Sequence, residues 1–205
     1  MIKTELLLAT TNQGKIKEMK NYLADLPIKI VSLQELRPKA IFVEKGKTFL
    51  ENARGKGLFF SQQHKLLTLA EDSGLEIEYL KGAPGVFSAR FSGPQATDKK
   101  NIQKVLKLMK DLPLDQRQAQ FVSCMVLTDK GKIIKEIKER VNGFITLEKR
   151  GAYGFGYDPL FYYLPLKKTF AELLPEEKNR VSHRGRALKK LKAFLLSYLG
   201  LKKKT

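Results

Sequence analysis

The segment Glu5–Lys15 reads ELLLATTNQGK, and it holds the change of pattern that decides the fold. Its first half is a short apolar run of the kind found in buried strands. The polar residues Thr10–Gly14 that follow are typical of a turn and a helix cap. Ile16, Met19 and Leu23 then recur at the spacing of one helix face. A strand, a tight turn and a helix in this order predict an α/β fold.

The rest of the chain continues to alternate between strand and helix patterns. Asp129-Lys130-Gly131 separates two β-rich runs and is typical of a hairpin turn. Thr48–Glu51 has the form of a capping box, which marks the start of a helix. The predicted strands are 28–32, 66–70, 75–80, 118–128 and 132–141, and the predicted helices are 48–63, 98–109 and one through Leu188, Leu191 and Leu195. With no repeat and no separable linker, these elements predict a single domain over residues 1–205, built on a mixed β-sheet flanked by helices.

The composition is that of a soluble globular protein, with 42% hydrophobic and 29% charged residues in a chain of 205. Its apolar runs are far shorter than the roughly 18 residues that a membrane span needs, so no membrane association is expected. Cys124 is the one cysteine and cannot form an internal disulfide, which fits a reducing compartment. We therefore expect a cytoplasmic protein.

The chain carries a formal net charge of +18, and this excess is concentrated near its end. Between Lys178 and Thr205 there are ten basic residues and no acidic one. Such a run is typical either of a nucleic-acid-binding surface or of a solvated, lysine-rich helix face. Because no aromatic residues are interleaved as in a nucleic-acid-binding module, we favour the solvated face and expect no nucleic-acid binding.

Two polar clusters follow predicted strands and have the residue types of a phosphate and metal site. Thr10–Lys15 combines the amides of a helix N-terminus with a lysine, although it lacks the spacing of a Walker A loop. Glu71 and Asp72 end an apolar run, where carboxylates can hold Mg²⁺ or orient a water molecule. The alternatives are an ordinary capped turn for the first cluster and an Asp-Ser-Gly turn for the second.

Three further clusters lie in loops rich in glycine, proline or basic residues. The two glycines and the proline in Lys81–Arg90 restrict the path of this loop. Its arginine, Arg90, could face either a phosphate or a surface carboxylate. Gly154–Pro159 carries aromatic rings that could stack on a purine or simply lie in the core. Ser182 is a candidate N-cap, which would place His183 and Arg184 at the positive end of the last helix.

Taken in order along the chain, these blocks match one family. They are LATTNQGK at 8–15, TFLENA at 48–53, EDSGL at 71–75, GAPGVFSAR at 82–90, GFGYDPLF at 154–161 and EEKNRVSHR at 176–184. In them the sequence resembles the inosine triphosphate pyrophosphatase family, hydrolases of non-standard purine nucleoside triphosphates. Glu71 stands where many bacterial members carry aspartate, which leaves a carboxylate of longer reach.

The resemblance implies an elongated mixed β-sheet flanked by helices, with two lobes around a central substrate cleft, and a homodimer. It implies Mg²⁺-dependent hydrolysis of ITP, dITP and XTP to the nucleoside monophosphate and pyrophosphate. This reaction removes such nucleotides from the pool before they are incorporated into DNA or RNA. The single domain is accordingly expected to be a nucleoside triphosphate pyrophosphatase domain.

The resemblance also assigns roles to individual residues. Asp72 is implied as the catalytic proton acceptor, and Glu44 and Asp72 as the metal ligands. Whether Asp72 is the base or only a metal ligand stays open. Substrate binding is implied for Thr10, Thr11, Asn12, Gln13, Gly14, Lys15, Lys56, Ser73, Phe155, Gly156, Tyr157, Asp158, Lys178, His183 and Arg184.

Choosing a 6-oxo purine over adenine requires a hydrogen-bond donor aimed at O6, which Arg184 or a loop amide near Tyr157 could supply. Three alternatives to this function remain at the level of sequence. The first is a related nucleotide hydrolase with another base preference. The others are a nucleic-acid-binding protein and a catalytically silent family member, the last disfavoured because Lys15, Glu44 and Asp72 are all present.

Overall fold

The structure, a computed structural model, describes residues 4–36 and 40–200. Its strands are β1 (Glu5–Leu8), β2 (Lys29–Ser32), β3 (Leu67–Ile77), β4 (Gln118–Asp129), β5 (Lys132–Ile145), β6 (Phe161–Tyr163) and β7 (Lys168–Thr169). Its helices are α1 (Gln13–Leu23), α2 (Leu33–Leu36), α3 (Phe49–His64), α4 (Asp98–Leu108), α5 (Pro175–Val181) and α6 (His183–Tyr198). Short 3-10 turns occupy Gly85–Arg90, Leu114–Gln116, Leu164–Leu166 and Phe170–Glu172.

The strands form a seven-stranded sheet in the order β2-β1-β3-β4-β5-β6-β7. β1 pairs in parallel with β2 and with β3, whereas β6 pairs antiparallel with β5 and β7. Parallel pairing on both sides of β1 requires crossover connections, and α1 and α3 lie in those connections. The predicted α/β class and mixed sheet are therefore confirmed. Among the described residues, none of the helices is long and apolar enough to cross a membrane.

One prediction about the sheet is wrong. The sequence predicted two separate strands, 66–70 and 75–80, but β3 runs without interruption from Leu67 to Ile77. The turn-like residues 71–74 are held in the strand by side chains from other segments. Gly74 approaches the Ser88 side chain so closely that an added Cβ would lie 2.2 Å from its Oγ. Ser88 Oγ also accepts a hydrogen bond from the Leu75 amide, so these contacts override the local turn preference.

The chain divides into two compact units. Unit 1 contains the described residues up to Asp72, Ser123–Glu139 and the described residues from Arg184 onward. Unit 2 contains Ser73–Val122 and Arg140–His183. Strands β3, β4 and β5 each contribute residues to both units.

The core of unit 1 packs on both faces of β1. Leu6 and Leu8 belong to a cluster that includes apolar residues of α1 and α6. Leu7 and Ala9 belong to a second cluster with Phe60 of α3. Successive residues of a strand point to opposite faces, so both faces of β1 are covered, as expected for a parallel strand in an α/β sheet.

The core of unit 2 contains a group of packed aromatic rings among aliphatic side chains. The rings of Phe121, Phe161 and Phe170 lie with centroids 4.6 to 5.8 Å apart. Arg117 is buried at 1% exposure beside this core. Its guanidinium donates hydrogen bonds to the carbonyl oxygens of Met109, Leu112, Ile145 and Thr146, which joins the end of α4 to the end of β5.

We expect Arg117→Leu to destabilise the protein by about 2–5 kcal/mol, because several buried carbonyls would lose their donor. Arg117→Lys should recover little of this loss, since an ammonium lacks the planar fork of five donors. The measurement is the free energy of unfolding in urea, with the exposed Arg140→Leu as the control. An equally small change in the free energy of unfolding for Arg117→Leu and for the control would contradict a stabilising role of Arg117.

Candidate active site

The loop between β1 and α1 is built as a helix N-terminus. Asn12 is the N-cap, and its Oδ1 accepts a hydrogen bond from the Lys15 amide at 3.0 Å. Thr10 Oγ1 accepts from the Asn12 amide at 3.2 Å, whereas Thr11 and Gln13 are exposed. The amides of Gln13, Gly14 and Lys15 belong to the first turn of α1, where backbone N–H groups attract anions.

Lys15 extends from this turn into a cluster of charged side chains. Its Nζ lies 3.5 Å from Glu71 Oε2, and its side chain is 13% exposed. Burial lowers the pKa of Lys15, and the positive charges of Arg184 and Lys56 lower it further, while Glu71 opposes this shift. Several basic groups are thus held close together in a partly desolvated place, where carboxylates balance their charge.

Glu71 is the anionic centre of this cluster. Its fully buried carboxylate accepts two hydrogen bonds from Arg184 Nε, at 2.9 and 3.1 Å, and one from Ser123 Oγ at 2.8 Å. Burial alone would raise the pKa of Glu71, but Arg184 and Lys15 hold it far below its usual range. The carboxylate is therefore ionised and already neutralised by protein groups, and we assign it a structural role.

Arg184 is enclosed by carboxylates. Besides Glu71, its guanidinium contacts Glu18 Oε2 at 2.6 Å. Burial opposes the charge of Arg184, but Glu71 and Glu18 together raise its pKa above the ordinary value. The implied contact of Arg184 with a substrate base stays a prediction, and in this structure its guanidinium binds these two carboxylates.

Asp72, the next residue of β3, lies in different surroundings. It is 7% exposed, and its Oδ2 accepts a hydrogen bond from Asn52 Nδ2 at 2.9 Å. Burial raises the pKa of Asp72, as does the nearby charge of Glu44, while Lys15, Asn52 and Lys56 oppose the rise. The two predicted metal carboxylates are therefore near enough to repel each other.

Lys56 joins the same cluster from α3. Its Nζ forms an ion pair with Glu44 and donates to the Glu71 carbonyl oxygen at 3.2 Å. The structure thus brings together four predicted site residues, Lys15, Glu44, Lys56 and Asp72, all in unit 1.

The carboxylates of this cluster fit one kind of metal. Across residues 4–36 and 40–200, no group of three or more His, Cys, Asp or Glu side chains could hold an ion alone. Mg²⁺ commonly binds to one or two carboxylates and completes its coordination with water and substrate phosphates. Glu44 and Asp72 match that pattern, so they fit a Mg²⁺ ion bound together with a triphosphate.

The predicted base-binding residues of unit 2 lie in or beside the glycine-rich loop Gly154–Pro159. Asp158 Oδ2 accepts a hydrogen bond from the Phe155 amide and pairs with Lys178 Nζ, and the ammonium lies 4.9 Å from the centroid of the Phe155 ring. Gly154 has a φ of +77°, and an added Cβ would lie 2.1 Å from Asp158 Oδ2. Only glycine allows this tight turn around the carboxylate.

The two aromatic rings of this loop have different surroundings. Tyr157 is buried in the unit 2 core, and its hydroxyl donates to the Ser88 carbonyl oxygen at 2.9 Å. Burial raises the pKa of Tyr157, and Asp98 raises it further. Phe155 and Gly156 are half-buried, and the Gly156 amide donates to Asp98 Oδ2 at 2.7 Å. Phe155 is therefore the less buried of the two aromatic residues in this loop.

The remaining predicted residues are His183, at the start of α6, and Ser73, inside β3. His183 is the first residue of α6 and stacks on Phe121, with ring centroids 4.7 Å apart and an interplanar angle of 11°. Ser182 caps the end of α5, since its amide donates to the Lys178 carbonyl oxygen at 2.8 Å. Ser73 follows Asp72 in β3 and is half-buried. Ser73 and His183 belong to unit 2 with the loop of Phe155.

The profile of the Ham1 family matches residues 6–194. The chain belongs to the Ham1 family. This match confirms the resemblance to inosine triphosphate pyrophosphatases that we inferred from the sequence motifs.

Relatives within the Ham1 family are similar over almost the whole chain. The dITP/XTP pyrophosphatase of Desulfotalea psychrophila is 47% identical over 188 residues, which are 92% of this chain and 83% of that protein. The dITP/XTP pyrophosphatase of Bacillus subtilis is 42% identical over 195 residues, which are 95% of this chain and 98% of that protein.

Solved structures of Ham1 proteins have the same fold. A HAM1 protein from Coxiella burnetii superimposes with a TM-score of 0.84 at 41% identity, covering 95% of this chain and 99% of that one. The Ham1 protein of Staphylococcus aureus gives the same TM-score at 38% identity, covering 95% of this chain and 100% of that one.

Sequence reasoning missed several residues that hold this Ham1-family site together. Asn52 contacts Asp72, Glu18 contacts Arg184, and Ser123 contacts Glu71. Ser123 could have been found, because it is a hydroxyl inside the apolar run of β4. Asn52 gave a similar signal, since asparagine is an unfavourable residue in the body of a helix.

We expect Glu71→Gln to destabilise the protein by about 3–5 kcal/mol, because it leaves the buried Arg184 without its main counter-ion. The free energy of unfolding in urea measures the effect. Glu5→Gln is the control, since Glu5 pairs with Lys29 at the surface and its loss should change stability little. A similar small change in both variants would show that the buried pair is not needed for stability.

We expect Asp72→Asn to keep or raise the stability of the metal-free protein at pH 7. A raised pKa means that the folded protein holds this proton more tightly than the unfolded chain does. Stability from this group is therefore lost as the pH rises above the ordinary pKa of aspartate, and the charged form opposes folding at neutral pH. Thermal unfolding at pH 7 and at pH 4 should show the variant's advantage shrinking in acid. A lower midpoint for the variant at pH 7 would overturn the prediction.

Proposed function

We propose that this protein hydrolyses ITP, dITP and XTP to the nucleoside monophosphate and pyrophosphate in a Mg²⁺-dependent reaction. In this way it would remove non-standard purine nucleotides from the pool before their incorporation into DNA or RNA. The observation that carries the proposal is the cluster of two carboxylates and two lysines, Glu44, Asp72, Lys15 and Lys56, beside the N-terminus of α1.

The class of enzyme predicted from the sequence, a nucleoside triphosphate pyrophosphatase, is confirmed by the family. The relatives from D. psychrophila and B. subtilis are both dITP/XTP pyrophosphatases, and their alignments cover 92% and 95% of this chain. The specific substrates, the metal and the roles of individual residues are the proposal.

The triphosphate would be held by groups that are already in place. The first-turn amides of α1 and the ammonium of Lys15 lie together after β1, and Lys56 adds a second ammonium from α3. Both lysines have side chains less than 15% exposed, so their charges act with little screening by water. Lys15 pairs with Glu71 and Lys56 pairs with Glu44, and phosphate oxygens would take over part of this pairing.

Glu44 and Asp72 would hold the Mg²⁺ ion. When bound, the ion supplies charge stabilisation to the phosphates and lowers the pKa of water. Asp72 then has two alternative roles, either to accept the proton of the attacking water or only to hold the ion. In both cases the anhydride bond between the α- and β-phosphates breaks, and the oxygen of water forms a new bond to one of these two phosphorus atoms. The products are the nucleoside monophosphate and pyrophosphate.

The base and sugar would contact residues of unit 2. Phe155 offers a partly exposed ring for stacking, and Lys178 and Asp158 lie beside it. Ser73 and His183 would complete the binding residues, together with Gly156 and Tyr157. Rejecting adenine by presenting a donor to its amino group would contribute roughly 1–3 kcal/mol.

The candidate donors to O6 both have acceptors within the protein. Arg184 binds Glu71 and Glu18, and the Gly156 amide binds Asp98. Reading O6 by either donor would therefore require an exchange of partners on binding.

The proposal includes a homodimer in the cytoplasm. The homodimer rests on the family resemblance, and sedimentation of the purified protein measures it. The cytoplasmic location rests on the single cysteine, Cys124, and on the soluble composition. The basic residues that give the +18 charge are proposed to form a solvated surface that does not bind nucleic acid.

Pyrophosphate release from ITP and XTP tests the function, with ATP and GTP assayed in parallel and with Mg²⁺ present or absent. We expect pyrophosphate rather than orthophosphate, from ITP and XTP only, and complete dependence on Mg²⁺. Asp72→Asn should abolish release, whereas the control Asp111→Asn, at an exposed residue of unit 2, should retain it.

Each alternative function has its own outcome in this assay. Equal turnover of ATP and GTP would indicate a hydrolase with another base preference. No release from any nucleotide by folded wild-type protein would refute the proposal. Steeply salt-dependent DNA or RNA binding that survives Asp72→Asn would favour the nucleic-acid-binding alternative.

A further inference from the structure

We propose that Asn52 is a positioning residue, which sets the spacing between the carboxylates of Asp72 and Glu44 by binding the segments that carry them. The inference rests on the proposed function, because it concerns the same metal site. Asn52 was not among the residues implied by the sequence resemblance.

Both ends of the Asn52 amide are used. Its Oδ1 accepts a hydrogen bond from the Gly46 amide at 2.8 Å, and its Nδ2 donates to Asp72 Oδ2 at 2.9 Å. A backbone N–H can only donate, so the atom of Asn52 that faces Gly46 must be the oxygen. The nitrogen must then face Asp72, whose Oδ2 can only be an acceptor in this contact. The orientation of the amide therefore follows from its two partners.

Asn52 acts together with Lys56, one turn later on the same face of α3. Asn52 connects Gly46 to Asp72, and Lys56 connects Glu44 to the Glu71 carbonyl oxygen. Each side chain thus ties the segment that carries Glu44 to β3. A bound cation would compete with Lys56 for Glu44, whereas the contacts of Asn52 through Gly46 and Asp72 Oδ2 can persist.

Gly46 is fitted to this contact. An added Cβ would lie 2.6 Å from Asn52 Oδ1 and 2.8 Å from Glu51 Cβ, which is closer than such atoms approach. Gly46→Ala would therefore push the segment of Glu44 away from α3 without touching either carboxylate. This substitution disturbs the same contact from its other side.

Asn101 provides a matched control in unit 2. Asn52 and Asn101 are both the fourth residue of a helix whose N-cap is a threonine, Thr48 or Thr97. Their exposures are 1% and 2%, and each Oδ1 accepts from a backbone amide at 2.8 Å. They differ in the partner of Nδ2, since Asn101 donates to the carbonyl oxygens of Ser88 and Ala89 and not to a carboxylate.

The test compares Asn52→Leu, Gly46→Ala and Asn101→Leu with wild-type protein. Mn²⁺ alone is titrated into nucleotide-free protein, and free Mn²⁺ is followed by electron paramagnetic resonance. We expect the Mn²⁺ dissociation constant to rise about 10- to 100-fold in Asn52→Leu, as for other residues that orient metal ligands, and to rise in Gly46→Ala. Asn101→Leu should keep the wild-type constant, and unfolding in urea shows that each variant is folded.

A second readout separates positioning from general damage. In Asn52→Leu, the Mg²⁺ concentration for half-maximal pyrophosphate release from ITP should rise by a similar factor, with kcat largely recovered at saturating Mg²⁺. An equal loss of Mn²⁺ affinity in Asn101→Leu, an unchanged constant in Asn52→Leu, or no Mn²⁺ binding by wild-type protein would each overturn the inference. If wild-type protein binds Mn²⁺ but releases no pyrophosphate, the proposed function fails while the Mn²⁺ comparison still decides the role of Asn52.

Discussion

The buried ion pair between Glu71 and Arg184 is the constraint on which the site depends. A carboxylate inside a β-strand is tolerated only when its charge and lone pairs are matched, and here Arg184, Ser123 and Lys15 match them. These partners come from α6, β4 and α1, so one charged group fixes the positions of three elements relative to β3. Glu18 binds the other side of the guanidinium and connects α1 to the start of α6 directly.

The strand then gives the adjacent acid, Asp72, a different task. Successive side chains of a strand point to opposite faces, so Glu71 and Asp72 lie in different surroundings despite their adjacency. Arg184 and Lys15 hold the pKa of Glu71 low, whereas burial and the charge of Glu44 raise the pKa of Asp72. Because Glu71 is held by these partners, the backbone from which Asp72 projects is also fixed.

The sequence correctly predicted the helices and strands that depend on a local pattern. It failed where contacts with distant segments determine the local structure. Helix α1, helix α4 and the β4–β5 hairpin follow from periodicity and turn residues, and the structure confirms them. The break predicted between strands 66–70 and 75–80 is wrong, because residues 71–74 have a turn-like composition while their side chains are bound by residues far away in the chain. Arg184 lies 113 positions from Glu71, and Asn52 lies 20 positions from Asp72, so neither pairing leaves a local signal.

The residues proposed to bind the phosphates and those proposed to bind the base belong to different compact units of the chain. The lysines and carboxylates proposed for the triphosphate and Mg²⁺ belong to unit 1, whereas Phe155, Asp158 and Lys178 belong to unit 2. Each group is held by its own contacts: the Glu71 ion pairs in the first, and the Asp158–Lys178 pair with the aromatic core in the second. Under the proposed function, substitutions around Phe155 would change the preferred base without altering the contacts within unit 1 that hold Glu44 and Asp72. The base preference of this protein must accordingly be measured directly, since the phosphate site alone does not determine it.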